Sequence, residues 1–317
     1  MSVTEIGSPV PARQPTGLGR RGNRAGERGV EALLFIAATV GVLTTVGIII
    51  ALVFPTIDFF GDVGIIEFLT GDAWTPLFAD KEYGVLPLLV ATLVVTGIAT
   101  LIAVPLGLGA AIYLAEYARP RVRQVLKPLL EVLAGIPTVV YGFFALVAIG
   151  PLIRDYWPGG DKPSFQNLLI ASIAMGIMIV PTVASLAEDA MTAVPRSLRQ
   201  GAFALASSRM QVATRVVFPA ALSGIVAAIV LGISRAIGET MIVTIAGGLI
   251  SNQIMFNPIE GSATMTAYIA SAGQGDLPLG TVEYKSIFAV GALLFIITFA
   301  LNIISFRLVR RFREVYE

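Results

Sequence analysis

Six apolar runs of roughly 20 residues each dominate this 317-residue chain and restrict what it can fold into. Hydrophobic residues make up 56% of the chain and charged residues only 14%, whereas a soluble domain carries about 25% charged residues. Inside a bilayer the backbone must satisfy its own hydrogen bonds, so such runs form helices. The sequence therefore predicts an all-α, polytopic membrane protein with six transmembrane helices, at residues 32–54, 85–114, 129–149, 168–186, 220–245 and 286–306.

Basic residues are distributed unevenly between the two ends of these runs. Of the 22 Lys and Arg residues, one lies inside a run, Arg235, and only four lie in the flanks at one end, Lys81, Arg154, Lys162 and Lys285. The remaining basic residues all flank the opposite end. Because cytoplasmic flanks carry the excess of Lys and Arg, both termini are predicted to be cytoplasmic.

The composition also excludes several kinds of chemistry. Residues 1–29 are polar, rich in Gly, Pro and Arg, and predict a disordered cytoplasmic tail before a transmembrane domain at residues 30–317. The chain has no Cys and no His, which excludes disulfides, thiol chemistry and His-based metal sites or general bases. It has no Gly-Lys dipeptide, so it lacks a phosphate-binding P-loop. Any ATP hydrolysis must therefore come from another chain.

Two charged residues, Arg235 and Glu239, lie in the middle of the fifth apolar run. On a continuous helix they share one face, roughly 6 Å apart along the axis. A charge at the bilayer centre costs at least about 2.5–3.5 kcal/mol, so it faces protein or water and usually marks a pathway for a polar solute. The alternative is an Arg–Glu pair that only fixes the helix or an interface with another subunit.

Hydroxyl-bearing side chains near this pair are further candidates for the pathway. Ser234 and Thr240 flank the two charges, and Thr138 and Tyr141 follow Pro137 in the third run. Each has a structural alternative, because a hydroxyl in a membrane helix often bonds to its own helix carbonyls and an aromatic ring packs in a core.

The loop between the fourth and fifth runs, residues 187–219, is long for a connection between membrane helices. Ser197 is a candidate cap for a first short helix, and residues 206–208 predict a break and the cap of a second helix through 212–217. Two short amphipathic helices under the membrane would form a docking platform for a cytoplasmic partner, or simply lie on the membrane surface.

This loop resembles the EAA signature of the ABC-importer permeases, which reads Glu-Ala-Ala, three residues, Gly, nine residues, Ile, one residue, Leu-Pro. The spacing from Gln200 to Pro219 fits without a gap. Three residues depart from the signature: Gln200 replaces Glu, Gly201 replaces Ala and Ala206 replaces Gly. By resemblance, the loop contacts an ATPase through Gln200, Gly201, Ala202, Ala206, Ser207, Arg209 and Pro219.

Residues 104–118, 133–142 and 234–241 extend the resemblance to the phosphate-specific transport permeases, and the Gly-Glu-Thr-Met of residues 238–241 is similar to the PstC branch rather than the PstA branch. The resemblance implies a type I (MetI-like) ABC-importer permease of the plasma (inner) membrane, without catalytic residues, metal or cofactor of its own. The implied partners are a second, PstA-like permease, two cytoplasmic ATPase subunits that bind ATP and Mg²⁺, an external phosphate-binding protein and membrane lipid, with no nucleic acid.

Other readings of the sequence remain open at this point. The same architecture serves other oxyanions, such as molybdate or sulfate, and an Arg–Glu pair alone does not select phosphate. An ion-coupled secondary transporter would use intramembrane carboxylates for coupling, and here Glu239 is nearly alone. A membrane-embedded enzyme would need an acid–base pair, which a single intramembrane carboxylate without His or Cys does not supply.

Overall fold

The structure, a computed structural model, describes residues 24–275 and 277–311, and this part of the chain is almost entirely helical. The helices are α1 (Arg24–Asp62), α2 (Ile65–Thr70), α3 (Leu86–Ile112), α4 (Pro120–Ala134), α5 (Thr138–Phe144), α6 (Gly150–Asp155), α7 (Leu168–Thr192), α8 (Arg196–Ala204), α9 (Arg209–Val212), α10 (Phe218–Ala220), α11 (Leu222–Ile237), α12 (Met265–Ala272) and α13 (Val282–Arg311). Four π-helical turns adjoin them, at Tyr113–Tyr117, Ala145–Ile149, Ala213–Val217 and Val243–Gly247.

The chain divides into two compact units, Met1–Ala51 and Leu52–Glu317. The described part of the first unit is the beginning of α1, and its large apolar side chains, such as Leu33 and Phe35, are exposed, as on a helix that faces lipid. Most of the predicted tail, residues 1–29, lies outside the described residues, and α1 already begins at Arg24.

Five described segments are long and apolar enough to cross a membrane: Arg28–Asp62, Leu86–Tyr117, Thr138–Asp155, Leu168–Thr192 and Val282–Arg310. A sixth is formed if Arg209–Ala220 and Leu222–Ile237, which meet at an angle of 73°, are counted together. The predicted all-α, polytopic fold is confirmed. The sharp bend means that only the second half of this pair continues the direction of a span, while the first half belongs to the loop of residues 187–219.

The predicted start of the third span, residue 129, is wrong. The structure ends α4 at Ala134 and begins a new helix, α5, at Thr138. Pro137 has no N–H to continue α4, and a proline disfavours helical geometry in the residue before it. Residues 129–134 therefore belong to an amphipathic helix outside the span, which is packed beside α7.

The core of the second unit forms where α3 and α11 pack against α7. A Cβ placed on Gly107 of α3 would lie 2.9 Å from Cβ of Val183, and one on Gly232 of α11 would lie 3.0 Å from Cγ2 of the same valine. Small residues at these crossings let the helix backbones approach closely. The side chains buried around them include Val95, Ala99, Ala103, Met175, Met178, Ile179 and Ala236.

A second cluster lies at the end of the spans opposite to the loop of residues 187–219. Its centre is a group of aromatic rings in edge-to-face contact, among them Phe59, Phe68, Trp74, Tyr83 and Tyr268. Burial and the neighbouring carboxylate of Glu283 raise the pKa of Tyr83 to about 12, so its hydroxyl stays protonated at physiological pH. This cluster joins the end of α1 to the loops that precede α3 and α13.

A third cluster attaches the loop of residues 187–219 to the spans. Val212 and Val217 of the loop are fully buried against Ala187 and Met191 at the end of α7. Ile225 at the start of α11 belongs to the same cluster. The loop is therefore held to two membrane helices by its own small core, as a mechanical link between them requires.

Replacing Gly224 by Ala should weaken the contact between α11 and α7, because the new Cβ would lie 2.4 Å from the Ala190 Cβ. Overpacking of this kind costs about 1–3 kcal/mol. We expect a lower thermal-unfolding midpoint for the purified protein in detergent. Gly109→Ala is the matched control, because a Cβ there meets open space. An equal loss for both variants would contradict the close crossing.

Candidate functional site

The fifth span is interrupted next to its charged residues. Helix α11 ends at Ile237, Gly238 occupies the position after it, and Glu239 and Thr240 are not helical. Helical structure resumes at Met241 and widens into the π-helical turn Val243–Gly247. The interruption, inside the predicted run 220–245, leaves main-chain groups that need partners from side chains or neighbouring segments.

Glu239 supplies the partner for the resuming segment. Its Oε1 accepts hydrogen bonds from the backbone N–H groups of Met241 at 3.0 Å and Ile242 at 3.2 Å. Its own carbonyl accepts the Thr266 hydroxyl at 2.7 Å. Only 8% of the residue is exposed, so this buried carboxylate acts as a helix cap. The negative charge at the start of a helical segment is favourable in this position.

Arg235 contacts a threonine of α7 and makes no ion pair with Glu239, the alternative that the sequence left open. Its Nη1 donates to the Thr182 hydroxyl of α7 at 2.9 Å, and among the described residues no carboxylate lies within ion-pair distance of its guanidinium. The predicted shared face of Arg235 and Glu239 is wrong, because α11 ends between them at Ile237. The Arg235 side chain is partly buried.

Two of the four candidate hydroxyl groups are bonded to main-chain carbonyls. The Thr240 hydroxyl contacts the Gly238 carbonyl at 3.4 Å, and the Tyr141 hydroxyl donates to the Leu133 carbonyl at 2.9 Å, across the break between α4 and α5. Ser234 and Thr138 have no side-chain hydrogen bond within the described residues. Thr182, which sequence reasoning missed, is therefore the hydroxyl that the structure brings to Arg235.

The predicted loop of residues 187–219 starts later than predicted, because α7 continues to Thr192. We name residues 193–219 the coupling loop, and it contains the two predicted short helices. The first, α8, begins at Arg196 after Pro195, so the predicted cap at Ser197 is wrong: the fixed φ of the proline supplies the entry to the helix, and Ser197 lies inside it. The second, α9, is capped as predicted by Ser208, which accepts from the Gln211 N–H at 3.3 Å while the Gln211 side chain accepts from the Ser208 N–H at 2.8 Å.

The turn between α8 and α9 explains why Gly is usual at the position of Ala206. The Ser207 N–H donates to the Ala202 carbonyl at 3.2 Å and the Ala206 N–H to the Phe203 carbonyl at 2.9 Å, which is the Schellman pattern at the end of a helix. The pattern needs a left-handed residue after the cap, and Ala206 has φ +58°. An alanine in this conformation costs roughly 1–2 kcal/mol.

The coupling loop presents large apolar side chains to solvent on the same turn. Leu205 is 84% and Met210 68% exposed, and Phe203 is also exposed. Gln200, Gly201, Arg209 and Pro219 are exposed beside them. Clustered exposed apolar residues are typical of a surface that another protein covers.

Two ion-pair networks that sequence reasoning missed connect this end of the spans. Arg199 of α8 binds Glu116 in the π-helical turn after α3, with Nη2 to Oε1 at 3.0 Å. The second network is centred on Glu188 of α7, which is fully buried and is bound by Arg123 and by Lys127, the latter at 2.7 Å. No sequence spacing identifies these pairs, because the partners are separated by 83, 65 and 61 positions.

The Glu188 network holds the amphipathic helix α4 to α7. Burial lowers the pKa of Lys127, but hydrogen bonds and charge attraction from Asp189 and Glu188 outweigh burial and raise the pKa above its usual value. Lys127 is therefore charged throughout the physiological pH range.

Among the described residues, no group of three or more His, Cys, Asp or Glu could hold a metal ion.

The sequence matches a known transporter family. The family described as "Binding-protein-dependent transport system inner membrane component" matches residues 103–314. The probable ABC transporter permease protein YqgH of Bacillus subtilis is 36% identical over 268 residues, which cover 84% of each chain. The phosphate transport system permease protein PstC 1 of Mycobacterium tuberculosis is 34% identical over 72% of this chain and 73% of its own length.

The fold agrees with this match. A chain of the solved bacterial alginate ABC transporter, in complex with its pentasaccharide-bound periplasmic protein, superposes with a TM-score of 0.63 and 15% identity, over 90% of this chain and 96% of that chain. The present chain belongs to the family of inner membrane components of binding-protein-dependent transport systems. It is thus a membrane subunit of a transporter, and the predicted ABC-importer permease fold is confirmed.

Replacing Ala206 by Gly should stabilise the coupling loop, because glycine adopts the left-handed conformation without strain. We expect amide hydrogen exchange in α8 to slow by about fivefold, the effect of about 1 kcal/mol on local opening. The control Ala204→Gly, in the last turn of α8, should speed exchange instead. Faster exchange in the Ala206 variant would rule out the strain.

Proposed function

We propose that this chain is the permease subunit of an ATP-driven phosphate importer and forms half of its translocation pathway. The observation that carries the proposal is the placement of Arg235, a permanent cation at an interruption of the fifth span, whose described partner is a neutral hydroxyl. The relative named as a phosphate transport permease, with 34% identity, supports phosphate as the substrate.

The chemistry of Arg235 suits a phosphate oxyanion. A guanidinium offers five N–H donors in a planar fork that matches two oxygens of a phosphate, and it stays charged when partly buried. Thr182 occupies one Nη1 direction and fixes the side chain, which leaves other donors for the substrate. Glu239 makes no ion pair with Arg235 among the described residues, and its Oε1 accepts hydrogen bonds from backbone N–H groups.

The remaining pathway residues take supporting roles in this proposal. Ser234 and Thr138 offer hydroxyls that are not engaged by other described side chains, whereas Thr240 and Tyr141 are bonded to main-chain carbonyls. We assign the first two to substrate contact and the last two to shaping the interruption. Glu239 sets the position of the segment that follows the interruption.

The transporter assembles around this chain in the proposal. Both termini and the coupling loop are cytoplasmic, as the excess of Lys and Arg at that end favours. A second, PstA-like permease completes the pathway, and two ATPase subunits dock on the exposed turn around Leu205 and Met210. ATP and Mg²⁺ bind to those subunits and to no site in this chain.

Phosphate reaches the pathway from an external phosphate-binding protein. The loops at the outer end contain more acidic than basic residues, for example Asp58, Asp62 and Glu67 close together in sequence. Such a mouth gives a free anion no electrostatic attraction. A docked binding protein delivers phosphate without the need for this electrostatic attraction.

The complex reconstituted in proteoliposomes, with its ATPase subunits, second permease and binding protein, should take up radiolabelled phosphate only with internal ATP. Unlabelled phosphate should compete, and sulfate or molybdate in tenfold excess should not, because a site that accepts the hydrogen bond of the phosphate hydroxyl leaves that acceptor unpaired with a fully deprotonated oxyanion. Competition by sulfate or molybdate would indicate that the competing oxyanion is the substrate. Uptake without ATP would indicate an ion-coupled transporter.

Replacing Arg235 by Gln should reduce uptake to background while the complex still assembles, since the only basic residue of the predicted run 220–245 is lost. Thr182→Val should reduce uptake by about tenfold or more, the effect of losing a hydrogen bond to a charged group. Thr244→Val is the control: its hydroxyl bonds to the Thr240 carbonyl of its own segment, and uptake should change by less than about twofold. Normal uptake by the Gln variant would remove Arg235 from the pathway.

A further inference from the structure

Arg199 occupies an unusual position in the coupling loop. Its guanidinium makes four hydrogen bonds: Nε and Nη2 to Glu116 Oε1 at 3.2 and 3.0 Å, Nη1 to the Val194 carbonyl at 2.5 Å, and Nη2 to the Met191 carbonyl at 2.7 Å. The side chains of Arg199 and Glu116 are only 17% and 9% exposed. Among the described residues of α8, no other side chain is hydrogen-bonded outside the helix.

The three partners belong to the ends of two different membrane helices. Met191 lies in the last turn of α7, Val194 follows it, and Glu116 lies in the π-helical turn Tyr113–Tyr117 that continues α3. In that turn the Ala118 N–H donates to the Tyr113 carbonyl, five residues earlier, at 2.8 Å. Such wide turns are rare and frequent at functional sites, since the extra residue re-aims the side chains around it.

Helix α7 continues from this site to the substrate pathway. It runs without interruption from Leu168 to Thr192, and Thr182, which holds Arg235, lies nine residues before Met191. Nine residues of helix span about 14 Å. A displacement of α8 is therefore passed by one rigid element from Arg199 to the hydroxyl that positions Arg235.

We propose that Arg199 is a positioning residue that transmits movement of α8 to the ends of α3 and α7, through one guanidinium that holds the Glu116 carboxylate and two main-chain carbonyls. The inference rests on the proposed function, because it assumes that an ATPase moves the coupling loop. It assigns the transmission to a partly buried arginine of the loop, not to the exposed residues that contact the ATPase. A lysine replaces it only in part, since an ammonium does not span three acceptors in a planar fork.

The test measures substrate taken up per ATP hydrolysed, in the complete complex with its ATPase subunits and binding protein. Arg199→Met should lower this ratio by about tenfold or more while the ATPase subunits still co-purify and hydrolyse ATP. Arg199→Lys and Glu116→Gln should give intermediate ratios. Arg196→Met, an exposed arginine at the start of the same helix, is the matched control and should keep the wild-type ratio.

A double-mutant cycle separates transmission from simple loss of packing. Glu116→Ala combined with Arg199→Ala should give the same ratio as Arg199→Ala alone, because the two residues act as one link. A wild-type ratio in Arg199→Met, or additive effects in the cycle, would overturn the proposal. If the complex with Arg199→Met does not assemble, the Glu116→Gln variant provides the test. This variant keeps the two hydrogen bonds from Arg199 to main-chain carbonyls. A wild-type ratio of substrate to ATP in the Glu116→Gln complex would contradict the inference.

This experiment is independent of the identity of the substrate. If the wild-type complex transports sulfate or molybdate instead of phosphate, the ratio is measured with that anion and the role of Arg199 is tested unchanged. If uptake by the wild-type complex does not require ATP, the proposed function fails, and the ratio for Arg199 variants has no wild-type reference. The two failures are therefore distinguishable from the wild-type measurement alone.

Discussion

A charged group inside an apolar span needs polar surroundings, and the arrangement of the described spans follows from how Arg235 obtains them. Its guanidinium reaches across to the Thr182 hydroxyl of α7, so α11 must pack directly on α7 at this depth. Gly232, one turn earlier, makes that packing possible, because a Cβ there would come within 3.0 Å of Val183. Close helix packing and the position of the cation are two aspects of one contact.

The interruption after Ile237 follows from the same requirement. A continuous helix would bring Glu239 to the face of Arg235, and a neutral ion pair at that point would offer nothing to an anion. By ending α11, the chain turns the carboxylate to its own main chain, where it accepts from Met241 and Ile242. The positive charge is thus left with a neutral partner, at the cost of a helix end within the span that the Glu239 side chain satisfies.

The sequence predicts the spans well, since lipid forces nearly every long apolar run into a helix. The sequence predicts less well where a helix ends inside an apolar run. Residues 129–134 are apolar enough to be counted in a span, yet Pro137 separates them from it, and their helix lies beside α7. The turn at Ala206 and the cap at Ser208 are local and were predictable from neighbouring residue types. The expected helix cap at Ser197 is absent, because Pro195 already starts the helix.

Contacts between residues that are far apart along the chain could not be predicted from the sequence, and the reason is physical. An apolar run or a turn is specified by residues that are adjacent in the chain, whereas the partner of a buried charge is chosen by how helices cross. Glu188 lies at the end of an apolar run and is fully buried, so it must be paired, but nothing in its neighbourhood indicates Arg123 and Lys127 of α4. The same applies to Glu116 and Arg199. All these pairs converge on one helix: α7 receives α4 through Glu188, α8 through its last carbonyls and α11 through Thr182. A helix with three polar attachments along its length cannot shift at one of them without altering the others.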